Sequence, residues 1–225
     1  MNLRAFAFVL LPALSSASTP ASIDLSRYRE FQLGMPLADV AKEVGTAPPI
    51  TRMIASRPER VEELDWRSNQ FSSAAKPDSV REILFRFYNG RLFELMIAYD
   101  RDHTSGLTDA DMTEALAAVY GPGSTPATKE MLFSSGYDTT VKVITQWADA
   151  QSMISLVGFP YGGGFGVVVT STPNQALARR AILESDRLNR EEAPQKELDL
   201  LARQAAEAEI KDQKSRLLNK PGFRP

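Results

Sequence analysis

An α+β fold is predicted for this chain: two helix-plus-antiparallel-strand units forming a layered helix-on-sheet domain, followed by a C-terminal helical tail. Three observations carry that reading. Two alternating apolar runs flank Asn89-Gly90 between Val80 and Tyr99, the strongest short-range signature of a β-hairpin. Two short amphipathic helices, near residues 37–44 and 112–119, share one apolar spacing, and strand-like segments follow each. Beyond Pro173 the composition shifts to Ala, Leu, Glu, Arg and Lys, the mark of continuous helix.

The N-terminus has a basic start at Arg4, an apolar run from Ala5 to Leu14 too short to span a bilayer, and small residues at Ser15, Ser16 and Ala17. This predicts a secretory signal peptide over residues 1–17, with Thr19-Pro20-Ala21 a second cleavage pattern. The expected location is therefore periplasmic or secreted. Cysteine is absent, so an exported chain must be held by a packed core, and a thiolate metal site or thiol nucleophile is excluded. No lipid-anchor cysteine follows the signal. A net charge of −2 over 225 residues gives no reason to expect nucleic acid, and no later stretch is apolar enough to insert the mature chain in a membrane.

The α+β domain is expected over residues 22–172. Its first unit, about 30–100, opens with proline in the first turn of a helix bearing Leu37, Val40, Ala41 and Val44 and closing at Gly45. An edge strand is expected at Val61–Trp66, and a Ser- and Ala-rich loop from Ser68 to Asp78. The hairpin follows, and its register matters. A two-residue loop would set Glu94 opposite Phe85, a costly neighbour for a carboxylate if buried. A three-residue loop, Tyr88-Asn89-Gly90 with glycine in a bulge, is therefore expected. It gives one face of Ile83, Phe85, Phe87, Phe93, Leu95, Ile97 and Tyr99. The other face is Leu84, Arg86, Tyr88, Leu92, Glu94 and Met96, too apolar for plain solvent and too charged for a core.

The second unit, about 105–172, repeats the order. Met112, Ala115, Leu116 and Val119 each lie 75 residues after their counterparts, with Thr108 as N-cap and Gly121 as stop. Strands are expected at Val141–Ala148, Met153–Phe159 and Phe165–Thr172. The tail, 173–225, is expected to break at Pro194 into two helices, the second with a narrow stripe of Leu198, Leu201, Ala205 and Ala208. It either lies on the domain or pairs with a partner.

Chemistry is sparse. His103 is the only histidine, in the loop Asp100-Arg-Asp-His-Thr-Ser-Gly106, where neighbours seldom converge as a triad. Asp100, Asp102, Thr104 and Asp111 sketch a calcium loop, but Gly106 is seventh rather than sixth and Asp111 replaces the usual glutamate. Phe159 to Gly166 is glycine-rich yet lacks the Lys and Ser/Thr of a phosphate loop, and reads as a wide turn. Trp66 and Trp147 read as packing. No cofactor, metal or catalytic residue is predicted.

The Gly34-Met35 start, the helix closing at Val44-Gly45 and Phe87-x-x-Gly90-x-Leu92 resemble small envelope proteins of the SmpA/OmlA outer-membrane assembly lipoprotein type. Tandem units of this kind resemble β-lactamase-inhibitor-protein-like folds. The resemblance spans roughly residues 30–172, and the chain departs from it in lacking a lipobox cysteine and disulfide cysteines. It implies a non-catalytic binder whose sheet face away from the helices is the contact surface. The expected function is an exported, non-enzymatic protein-binding or scaffold protein of the bacterial envelope or exterior, its partner another envelope or secreted protein. That binder would use the face of Leu84, Arg86, Tyr88, Leu92, Glu94 and Met96, the tail, or both. The competing expectation is a secreted hydrolase working through Glu62, Glu63, Asp100 and Asp102.

Overall fold

A computed structural model describes residues 23–68, 79–135 and 137–222. The expected signal peptide, residues 1–17, and nearly all of the expected Ser68–Asp78 loop lie outside the described residues. A two-stranded ribbon, β1 (Arg27–Tyr28) and β2 (Phe31–Gln32), leads into helix α1 (Leu37–Glu43). Four strands follow: β3 (Arg52–Ala55), β4 (Val61–Arg67), β5 (Val80–Tyr88) and β6 (Arg91–Tyr99). Helix α2 (Asp109–Tyr120) opens the second unit, with β7 (Glu130–Ser135), β8 (Tyr137–Ala148), β9 (Ser152–Gly158) and β10 (Phe165–Ser171). Helix α3 (Thr172–Asn219) follows in one run of 48 residues.

The fold is α+β, and its two units are each a helix followed by a four-stranded meander. They join through β6 and β10 into one antiparallel sheet of order β3-β4-β5-β6-β10-β9-β8-β7. Val61–Trp66 is therefore not an edge: β3 pairs outside β4, and the edges are β3 and β7. One face of the sheet carries Ile83, Phe85, Phe87, Leu95 and Ile97 from the first unit and Trp147, Ile154, Leu156, Val167 and Val169 from the second. Val40 and Ala41 of α1 and Met112 and Leu116 of α2 pack onto it. Phe31 closes this core edge-on against Phe85, with ring centroids 4.8 Å apart.

The hairpin turns differently from the expectation. Asn89 and Gly90 both have positive φ and form a two-residue loop, with Tyr88 opposite Arg91 and Phe87 opposite Leu92. A bulge then adds Phe93, so Arg86 meets Glu94 and Phe85 meets Leu95. Glu94 never faces Phe85, which removes the objection to the short loop. The consequence is an exchange of faces: Leu92 joins the helix-side core, and Phe93 moves to the opposite face.

Helix α2 begins as its sequence dictates. Thr108 and Asp111 exchange hydrogen bonds in a capping box, the Asp111 backbone N–H to Thr108 Oγ1 at 3.2 Å and the Thr108 backbone N–H to the Asp111 carboxylate at 2.7 Å. Its buried stripe, however, is Met112, Leu116 and Tyr120, while Ala115 and Val119 are exposed. Tyr120 prevails because its ring packs beside Trp147 and its hydroxyl donates to the Arg27 carbonyl at 3.1 Å. The units thus share element order rather than a residue-by-residue offset.

Pro194 does not break α3. Proline removes one backbone donor, which leaves the carbonyl four residues earlier to water on this exposed stretch. An ion pair between Glu192 and Lys196, at 3.0 Å, spans the site one turn to the next.

Candidate functional site

The sheet face away from α1 and α2 is interior along most of its length. At one end, Leu84, Met96, Ala98, Val141, Val143, Val157 and Val168 form a second core, and Phe133 of β7 closes it where that edge strand folds back toward β5 and β6. At the other end α3 lies across β3, β4, β5 and β6. Its small residues Ala178 and Ala181 pack against Ala55, Val61 and Phe93.

Between these two covers runs a chain of charge. Arg86 donates to the Glu94 carboxylate at 2.9 Å and reaches Glu63 at 3.4 Å, and the Arg52 Nε–H donates to Glu63 at 2.6 Å. Gln175 of α3 donates to Glu94 at 3.0 Å. Glu94 is 2% exposed, so its two oxygens need these donors, and one of them comes from the helix that covers it. Such a network fixes the seat of α3 more than it supplies a reactive group.

The six residues expected to form an open contact face therefore separate. Leu92 lies on the other side of the sheet. Leu84 and Met96 are core. Glu94 is buried under the start of α3. Arg86 and Tyr88 alone reach solvent in part. Tyr88 forms the floor of an open groove of about 680 Å³ between α3 and the β3–β4 turn. Pro58 and Glu59 stand on one bank, with Leu177, Arg180 and Leu183 on the other. Leu177 and Leu183 are exposed apolar residues on this bank. At the end of the groove Arg57 makes a forked contact with Glu192, at 2.6 and 2.7 Å, and a further bond to Asn189 at 3.0 Å. The Arg57 hydrogen bonds, with help from Lys196, pull the Glu192 carboxyl down to a pKa of about 2.

Past this clamp the helix changes. Every residue from Ala193 to Gly222 is exposed, including Leu198, Leu200, Leu201, Ile210, Leu217 and Leu218. Leu198, Leu201, Ala205 and Ala208 keep the predicted stripe, now presented to solvent.

The carboxylates proposed for hydrolysis fall in two separate places, Glu62 and Glu63 on β4 and Asp100 and Asp102 in the loop after β6. Glu62 and Glu63 are consecutive on β4 and point to opposite faces, Glu62 accepting from Thr51 and Arg60 at 2.9 and 2.7 Å. Its second oxygen makes no hydrogen bond among the described residues. Glu62 pairs across from Phe87, whereas the Asp100 backbone N–H bonds to Ser79 at the other end of β5. That separation is roughly 26 Å, against about 5–10 Å for a glycosidase pair. Asp100 instead organises its own loop, its Oδ1 accepting from the backbone N–H of Asp102 at 2.9 Å and lying 3.2 Å from the His103 ring. Asp111, the twelfth position of the calcium pattern, is occupied in the helix cap. Among the described residues no group of three acidic or imidazole side chains gathers around a metal position.

No protein-family model matches the chain, and no curated protein matches it significantly. Among solved structures, a cysteine-rich secretory protein of Staphylococcus aureus is similar over 64% of this chain and 44% of its own length, with 9% identity and a TM-score of 0.32. The chain spans less than half of that protein, and so loose an overlap carries no argument about function.

Proposed function

We propose that this is an exported, non-enzymatic protein-binding or scaffold protein of the bacterial envelope or exterior, in which α3 is the presenting element. The supporting observation is the division of that helix. Its first turns, to Glu192, are seated on the sheet by Ala178, Ala181, Gln175 and the Arg57–Glu192 clamp, and every described residue from Ala193 on is exposed, six large apolar side chains among them. A helix of this length held at one end is a rigid arm, and its apolar residues gain burial only against another chain. The groove floored by Tyr88 runs beside the seated half and extends the surface available to a partner. The partner is another envelope or secreted protein, since the signal sequence directs the chain there and the mature sequence has no membrane-inserting stretch. No described helix is long and apolar enough to cross a membrane.

The test places a photo-crosslinking residue at position 201 of the full chain expressed in its own host. One discrete protein adduct in the envelope or medium, lost when Leu198→Glu is added, is the expected result. No adduct above background, or a chain recovered in the cytoplasm with residues 1–17 attached, would overturn the reading.

A further inference from the structure

The two chemically unusual stretches of the sequence, the Asp100–Gly106 loop and the glycine-rich Phe159–Gly166 segment, meet in space. They form two walls of a cleft of about 570 Å³, with β7 and β8 as the third. That volume is in the range of small-ligand sites, about 300–1,000 Å³.

Both walls are built rather than slack. Thr104 donates to the Asp100 carbonyl at 3.0 Å, and the Leu107 backbone N–H to Thr104 at 3.2 Å, closing the loop on itself. The other wall is pinned by a backbone bond from Phe159 to Gly164 at 3.0 Å and by the edge-on contact of Phe159 with Phe133. Gly164 has a φ of +94°, a conformation that favours glycine, and lies beside the Thr104 hydroxyl.

The charges of the cleft divide into committed and uncommitted. Lys142 and Asp109 satisfy each other at 2.7 Å. Arg101, on the loop, and Glu130, at the start of β7, make no ion pair or side-chain hydrogen bond among the described residues. They are opposite in sign and stand on different walls, with Leu107, Val141, Pro160 and Phe165 as apolar lining between the polar groups.

We infer that this cleft binds a small zwitterion with an apolar body, a free apolar amino acid or a short apolar peptide. Arg101 takes the carboxylate, Glu130 takes the ammonium group, and the apolar lining takes the side chains. This site is separate from the groove and arm of α3, so it stands or falls independently of the protein-binding reading.

The experiment titrates the full chain with leucyl-leucine, its N-acetyl form and its C-terminal amide by calorimetry, alongside Arg101→Gln and Glu130→Gln. Both side chains are exposed, so the variants should fold as the parent does, which a melting curve checks. Saturable binding of the free dipeptide is expected, weakened about tenfold or more by either cap. Arg101→Gln should erase the difference between free and amidated forms, and Glu130→Gln that between free and acetylated forms. No saturable binding up to roughly 10 mM, equal binding of the capped forms, or binding indifferent to both substitutions would each overturn the proposal.

Discussion

The two halves of α3 are one helix by backbone and two different structures by environment. From Thr172 to Glu192 it is part of the fold, with Ala178, Ala181 and Ser185 buried at a helical spacing against the sheet. From Ala193 on, none of the described residues is buried. Helical backbone therefore needs no core beneath it here. The distal half relies on good helix formers and on side-chain pairs such as Glu192–Lys196 and Gln195–Asp199, at 3.0 and 2.9 Å. In the seated half, Ala178 and Ala181 face the sheet, and their small side chains let the helix axis approach Phe93 and Val61 closely.

Substitutions should separate the halves. Phe93→Ala removes the largest apolar side chain beneath the seated half and should cost about 3–5 kcal/mol in urea unfolding. Ala181→Leu overfills the same contact and should cost about 1–3 kcal/mol, whereas Ala205→Leu in the distal half should leave the midpoint unchanged.

The clamp between the halves should show in acid. The Glu192 carboxyl is lowered in the folded chain from its ordinary 4.5 to about 2, chiefly by the Arg57 hydrogen bonds. A depressed carboxylate contributes stability that is present above its unfolded value and lost as pH falls through the folded one. The contribution should therefore fade between about pH 4.5 and 2, and Arg57→Ala should remove this component of the acid dependence. Both groups are solvent-exposed, so the effect is small. Pro194→Ala should have the least effect of all on global unfolding, while slowing amide hydrogen exchange around residues 190–198 by restoring a helical hydrogen bond.

Much of this architecture is legible locally. Asn89-Gly90 marks the hairpin, Thr108 and Gly121 bound α2, and the symmetric order of the units follows from helices alternating with strand runs. The register of the hairpin is not legible, because the bulge falls at Phe93, which carries none of glycine's conformational signature; it exists to keep Glu94 away from Phe85. The run Leu92 to Tyr99 did carry a warning: a strand apolar at nearly every position is buried on both faces. β3 and β7 are edge strands, and β3 buries only Ala55, so it offers no periodicity. Pro194 misleads because a rule about helix interiors weighs little where the freed carbonyl meets water. The groove has no sequence signal, since Tyr88, Pro58 and Leu177 meet only through tertiary packing. The cleft was half visible, as two odd loops with nothing to say they were neighbours.

The account rests on α3 being fold up to Glu192 and arm beyond it. The most direct measurement compares urea unfolding of the full chain with chains ending at Ala193 and at Thr172. The account predicts an unchanged midpoint for the first truncation and, for the second, aggregation or a large loss of stability as Phe93, Val61 and Glu94 are uncovered. A chain ending at Thr172 that unfolds like the full one, or one ending at Ala193 that does not, would contradict it.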